Sequence, residues 1–247
     1  KRKYAKRYRK KTYRKYSKRT KKSSLRSVVR KEIHRMAENK INQSESTTYF
    51  FTQPIVTSQA YNLLPTINQG TGSSNRIGNK IRVLKFSIKL LFYTFIQAPG
   101  TVPTYVDLYI FKYKNYSQAL GTLPANSMNE FLDVNNSSGA YSGISTDYLR
   151  TVNSDQFTLC YKKRMMMFNP NNSTNTIAIT SSIPCSRNIS LDLTKHLKKN
   201  LVYDDADNKC SNDQMFIAVG STQVDGSVLL GNIGTYQFLS EFKYEDM

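Results

Sequence analysis

The chain has no tryptophan, two histidines and three cysteines in 247 residues, and each scarcity removes a class of chemistry. His34 and His196 belong to no His-x-His or His-Glu-x-x-His pattern, and no Cys-x-x-Cys occurs, so no metal site of standard spacing is written in the sequence. Cys160, Cys185 and Cys210 are an odd, widely spaced set, which argues for free thiols in reducing surroundings rather than a disulfide framework. A Gly-x-Ser-x-Gly elbow is missing. Residues Gly72 to Lys80 (GSSNRIGNK) approach a phosphate-binding loop. Their glycines are separated by five residues rather than four, however, and Ile81 stands where a magnesium-binding Ser or Thr would be. Asp204, Asp205 and Asp207 could hold a hard cation such as calcium, but a solvated acidic loop is the preferred reading. Neither a catalytic residue nor a cofactor is therefore expected.

Long apolar runs are also lacking, since none approaches the ~20 residues of a membrane span. The charged N-terminus has no apolar stretch behind it, so no secretory signal is expected. The Asn-x-Ser matches at Asn115 and Asn188 then read as chance in an Asn-rich chain.

The most informative absence is that of acid from the first 22 residues, KRKYAKRYRKKTYRKYSKRTKK, which hold fourteen Lys or Arg. Through Lys40 the segment carries +17 of the chain's +19, leaving residues 41–247 at +2. A nearly neutral body bears a polycationic arm, and that asymmetry calls for a polyanionic partner. The arm, residues 1–22, is too charged to fold alone and is expected to be disordered when free. Its cations are Lys1, Arg2, Lys3, Lys6, Arg7, Arg9, Lys10, Lys11, Arg14, Lys15, Lys18, Arg19, Lys21 and Lys22. Each that neutralises a phosphate releases condensed counterions, giving strong, sequence-independent, salt-sensitive binding. Tyr4, Tyr8, Tyr13 and Tyr16 are interleaved among them. Tyrosine rings stack on unpaired bases at about 1–3 kcal/mol each, which favours a single strand over a duplex. Such Lys/Arg clusters are also read by nuclear import receptors. Anionic membrane is the third, less favoured partner.

Residues 23–41 read as an amphipathic basic helix, with its core over about 24–39. Leu25, Val28, Val29, Ile33, Met36 and Ala37 form the apolar face, and Ser23 or Ser24 can cap it. Arg26, Arg30, Lys31, Arg35 and Lys40 line the opposite face, and the first four of these join the candidate nucleic-acid-binding residues. From residue 42 to 247 the pattern changes to period two. Eight strands are expected, at 55–67, 80–96, 105–113, 156–168, 176–183, 188–193, 214–222 and 234–245. In the second of these, Leu84, Phe86, Ile88, Leu90, Phe92 and Ile96 fall on one face. YVDLYIFKY is apolar on both faces and so reads as a central strand. Residues 115–154 read as loop, with at most a short helix near Met128–Leu132, and 195–213 as a second extended loop. Eight strands with long crossing loops indicate an all-β, two-sheet jelly roll.

The arm, the helix motif Val28-Val29-Arg30-Lys31-Glu32-Ile33-His34-Arg35-Met36 and the run Gln69-Gly70…Arg76-Ile77-Gly78-Asn79-Lys80-Ile81 opening a long strand carry a resemblance. The chain resembles the capsid proteins of circular, Rep-encoding single-stranded DNA viruses, whose coats are similar to the satellite tobacco necrosis virus type. About 60 residues carry it in sequence, and the 115–154 and 195–213 loops depart from the compact satellite pattern. The resemblance implies a jelly roll, self-assembly into an icosahedral shell of about 60 copies, an arm facing packaged single-stranded DNA, a place in the virion and assembly in the host nucleus. A host surface receptor would be a further partner. The alternatives left open are the coat of a small or satellite RNA virus and a non-viral nucleic-acid-binding module of chromatin or ribosomal type. A jelly-roll lectin or enzyme with a basic tail is disfavoured.

Overall fold

The computed structural model describes residues 29, 39–51, 54–94, 103–115, 121–134, 137–167, 186–204, 208–225 and 234–246. The chain divides into two units, Lys1–Met36 and Ala37–Met247. In the first only Val29 is described, and it is helical. The arm over 1–22 and the rest of the expected helix up to residue 38 lie outside the described residues. Residues 39–41 correct the expected helix end, because they open a β-strand.

Twelve strands are described: β1 (Asn39–Glu45), β2 (Tyr49–Phe50), β3 (Tyr61–Asn62), β4 (Lys80–Thr94), β5 (Thr104–Tyr113), β6 (Leu132–Val134), β7 (Ser137–Gly139), β8 (Phe157–Met167), β9 (Ser186–Asp192), β10 (Asn200–Val202), β11 (Phe216–Gln223) and β12 (Gly234–Asp246). One sheet runs β1-β12-β4, with β9 and β10 both pairing the far side of β4; the other runs β3-β11-β5-β8. All pairings between named strands are antiparallel. Leaving out the short β2, β6, β7 and β10, the eight remaining strands fall in spatial orders 1-8-3-6 and 2-7-4-5 by rank along the chain. That is the doubly crossed order of a jelly roll. The protein is an all-β sandwich of this class.

Seven of the eight jelly-roll strands coincide with segments legible as strands. The eighth is β1, whose sequence NKINQSE has no alternation; only Lys40 in it is buried. Its pairing with β12 over Asn39↔Glu245 to Glu45↔Leu239 makes it a strand. The segment 176–183, also expected as a strand, lies outside the described residues. The expected strand at 55–67 shrinks to the two residues of β3 behind a 3-10 turn at Thr57–Gln59.

The long strand β4 corrects the facing of Leu84. Phe86, Ile88, Leu90 and Phe92 are buried as expected, but so are Ile81 and Val83, while Leu84 is exposed. The register with β12 steps from Lys243↔Lys85 to Tyr244↔Val83, so Leu84 is the extra residue of a β-bulge. The bulge reverses the phase of alternation and keeps both apolar sets inside. A second bulge sits where β8 steps from Tyr161 to Leu159 against Ile110 and Phe111 of β5.

Two apolar cores result. The first lies between the sheets and holds Phe86, Ile88, Leu90 and Phe92 of β4, Val106, Leu108 and Ile110 of β5, Ile217 and Val219 of β11, and Tyr236, Phe242 and Tyr244 of β12. The second takes the alternate residues Tyr109, Phe111, Phe216 and Ala218, and adds Met128, Phe131, Leu132, Tyr141 and Val152. The middle strands β5 and β11 of the β3-β11-β5-β8 sheet are thus buried on both faces, as the apolar reading of YVDLYIFKY requires. Its outer cover is the segment 121–153, expected as loop. This cap contains 3-10 turns at Ser127–Glu130 and Ser145–Tyr148 and the small hairpin β6-β7. Gly220 of β11 permits the approach, since a Cβ there would lie 2.4 Å from the Tyr141 ring.

Candidate functional site

The cations and tyrosines assigned to polyanion binding, Lys1 to Lys22 with Arg26, Arg30, Lys31 and Arg35, lie outside the described residues. The chain enters the sandwich at Asn39, in the row Asn39–Glu245–Arg82–Asn200 at one end of the first sheet. Lys40, expected on the basic helical face, is instead 2% exposed. Its Nζ donates to the Asn75 carbonyl at 2.7 Å and pairs with Asp246 at 2.7 Å. Desolvated and paired, this cation anchors the start of β1 to the end of β12 rather than meeting a partner. Arg82 pairs with Glu245 at 3.0 Å, and the Tyr244 hydroxyl donates to the Ser74 carbonyl at 2.9 Å in the same corner.

The run Gln69-Gly70…Arg76-Ile77-Gly78-Asn79 folds as a buried fastening around Arg76, which is 0% exposed. Its Nε donates to the Ile67 carbonyl and its Nη1 to the Gly78 carbonyl and Asn79 Oδ1. Its Nη2 reaches across to the Asp204 carbonyl and Asn208 Oδ1. Its guanidinium also sits 5.6 Å from the centre of the Tyr203 ring. Asn208 takes a left-handed φ of 54° to present its side chain. The planar five-donor fork of arginine suits this radial pattern, in which one side chain ties the 67–79 loop to the 203–210 loop. The glycine-containing run is structural, in keeping with its rejection as a phosphate loop.

Under the cap, Asp107 of β5 is wholly buried. Arg164 of β8 donates to it from Nε and Nη2, both at 2.7 Å, and the Tyr141 hydroxyl donates at 2.8 Å. Burial, then the Asp107 charge, pushes the Tyr141 hydroxyl far above its ordinary value, so it remains a donor. The Arg164 guanidinium lies 4.4 Å from the Tyr148 ring centre. Lys162 donates to the Tyr148 and Arg150 carbonyls at 2.5 and 2.9 Å, and burial lowers its pKa. Asp147, also wholly buried, accepts from the Ser142 and Gly143 amides and from Arg150. These contacts hold the cap; none leaves a nucleophile beside a base.

Among the described residues no group of three or more His, Cys, Asp or Glu is placed to hold a metal ion. Asp204 of the weighed calcium loop is described, and its carbonyl serves Arg76. Asp205 and Asp207 lie outside the described residues. Cys160 and Cys210 are free thiols, and burial raises the pKa of both. His196 stands in a 3-10 turn, its pKa lowered by burial and by Lys195 and Lys112. No described helix is long and apolar enough to cross a membrane.

No protein-family model matches the chain, and no curated protein matches it. Solved structures similar to it are viral capsid proteins. One is the Penaeus vannamei nodavirus T=3 particle, 11% identical over 84% of this chain and 54% of that one, with a TM-score of 0.33. Another is the VP2 subviral particle of infectious bursal disease virus, 8% identical over 84% and 32%, TM-score 0.28. Merkel cell polyomavirus VP1 is 9% identical over 84% and 96%, TM-score 0.23. The chain spans about half and a third of the length of the first two. The assignment of the jelly roll rests on the strand order above, not on these scores.

Proposed function

We propose that the chain is a viral coat protein with a structural, non-catalytic role: its jelly-roll body assembles into a closed shell, and its arm binds the packaged single-stranded nucleic acid. The observation that carries this reading is the separation of charge. Residues 1–40 hold +17, while the body of residues 41–247, which builds the sandwich, holds +2. A sandwich of about 200 residues is far more body than a polyanion tether needs, whereas subunit–subunit contact under symmetry uses such a surface. In sixty copies the arms would supply on the order of 1,000 positive charges, enough to neutralise half or all of a polymer of roughly 1–2 kilobases. The tyrosines of the arm favour unpaired bases, and the resemblance to Rep-encoding viruses favours DNA over RNA. Placement in the virion follows, with nuclear assembly if the genome is DNA and the basic clusters act as import signals.

Negative-stain microscopy of the purified protein tests the shell. Sixty domains of this size close a particle about 20 nm across, and uniform particles near that diameter are expected. Small species alone, under all salt and pH conditions, would sink the proposal. Deleting residues 1–22 tests the arm. The 260/280 nm absorbance ratio should fall to that of protein, and an unchanged ratio would remove the arm from nucleic-acid binding.

A further inference from the structure

We propose that the folded body carries its own contact for a single-stranded polyanion, formed by β4 together with the 186–202 segment that pairs with it. The identity of that polymer as a packaged genome rests on the coat-protein reading; the contact itself does not.

The near-neutral charge of the body conceals a strong division. Residues 80–94 hold Lys80, Arg82, Lys85 and Lys89 and no acid, while 186–202 holds four cations and one acid, Asp192. Together they carry +7, so the rest of residues 41–247 carries −5. Several cations elsewhere in the body are consumed internally: Lys112 by Asp213, Arg150 by Asp147, Arg164 by Asp107, and Lys162 by carbonyls, as Arg82 of β4 is by Glu245. On β4 and its partner segment, Lys80, Lys85, Lys89, Arg187, Lys195 and Lys199 are all exposed. None of the six makes a hydrogen bond or ion pair through its side chain among the described residues. Asp192 is already counted in that +7. Its pKa is lowered first by hydrogen bonds from Thr194, which it accepts in capping the following turn, and then by Lys85 and Lys195, so it stays ionised and offsets one of the neighbouring cations.

Lys85 stands directly opposite Lys243 of β12, whose Nζ is already paired with Glu241 at 3.4 Å. One further feature points to an occupant. Lys85, Lys89 and Tyr93 lie at four-residue steps on the outward face of β4, and Tyr93 is 36% exposed. They span about 27 Å at the strand rise. A row of cations ending in an accessible aromatic ring is the arrangement that tracks a phosphodiester backbone and stacks an unpaired base. An acidic protein would use the charges but not the ring, and an anionic membrane would find on β4, besides that ring, only the partly exposed Leu84 to insert among the lysines.

The test is fluorescence anisotropy of a labelled thirty-nucleotide oligo(dT) titrated with the full chain across a salt series. The Lys85→Ala/Lys89→Ala/Lys195→Ala/Lys199→Ala variant should lower the slope of log K against log salt by about 3, four single-strand phosphate contacts at about 0.7 each. Lys163→Ala on β8, an exposed lysine elsewhere, should leave it unchanged, and Tyr93→Ser should weaken oligo(dT) binding without changing the slope. An unchanged slope in the quadruple variant, with its circular dichroism native, overturns the proposal. So does polyglutamate competing as well as oligo(dT) at equal charge, because the surface would then be a general anion or acidic-protein site. Microscopy of the same samples separates the two readings. If the wild type forms no shells but the slope still falls in the variant, the coat reading fails and this one stands.

Discussion

Arg164 holds Asp107 through two parallel hydrogen bonds of 2.7 Å, one strand to the next, beneath a cap that shuts the carboxylate from bulk water. Asp107 is 0% exposed, and Tyr141 supplies a third donor from the cap itself. The pair therefore joins the sheet to its cover. Removing the cation strands a buried carboxylate, which typically costs about 3–5 kcal/mol, much more than the pair contributes over an apolar substitute. Arg164→Ala should accordingly shift the urea midpoint sharply down. The double variant Arg164→Met/Asp107→Leu should recover most of the loss, and equal midpoints for the single and double variants would contradict this account.

Arg76 makes the same point with carbonyls in place of a carboxylate. Arg76→Lys keeps the charge but cannot reach Ile67, Gly78 and Asp204 at once, and each buried acceptor left unmet costs about 1–3 kcal/mol. Hydrogen exchange should rise in both 67–79 and 203–210, although these loops are far apart in sequence. Exchange that rises in only one of them would show that Arg76 does not couple the two.

The Cys160 thiol is pushed up to about 11, chiefly by burial, with the Lys112 cation opposing and Asp213 adding to the rise. The protonated form is the one favoured, so at pH 8 only about 0.1% is thiolate, and alkylation should climb about tenfold per pH unit until near 11. Mass spectrometry of iodoacetamide-treated native protein checks this. A rate that levels off near pH 8.5, the ordinary thiol value, would mean the site is open to water.

Where alternation is strong, the fold was legible. Tyr236, Phe238, Phe242 and Tyr244 of β12 alternate with polar residues, and all four are buried as that pattern demands. The pattern failed where partners, not the strand itself, decide the conformation. In β1 a polar edge is held by β12 and by Lys40, and nothing in NKINQSE distinguishes it from a helix end. The cap failed for a related reason. Phe131, Leu132 and Tyr141 have no common period, because they converge on the sheet from separate turns. At the candidate site the polycation was plain from composition. The basic surface of the body was hidden, because β4 and residues 186–202 are distant in sequence and the rest of residues 41–247 balances their charge.

The bulge in β4 makes the sharpest prediction from the sequence itself. With Leu84 in place, Ile81 and Val83 face inward in one phase, and Phe86 to Phe92 in the other. Removing Leu84 joins Val83 directly to Lys85, and the alternation then runs unbroken with every apolar residue still inward and Val83 still opposite Tyr244. Deleting Leu84 should therefore be tolerated, with a thermal midpoint within a few degrees of wild type, roughly what 1 kcal/mol produces in a domain of this size. Deleting Ser87, three residues on, breaks the phase. Either Phe86 or the Ile88–Phe92 set must then turn to solvent, because a one-residue slip moves every side chain to the other face. That variant should fail to give soluble folded protein. If the two deletions behave alike in expression and thermal melting, Leu84 is not the residue that absorbs the change of phase.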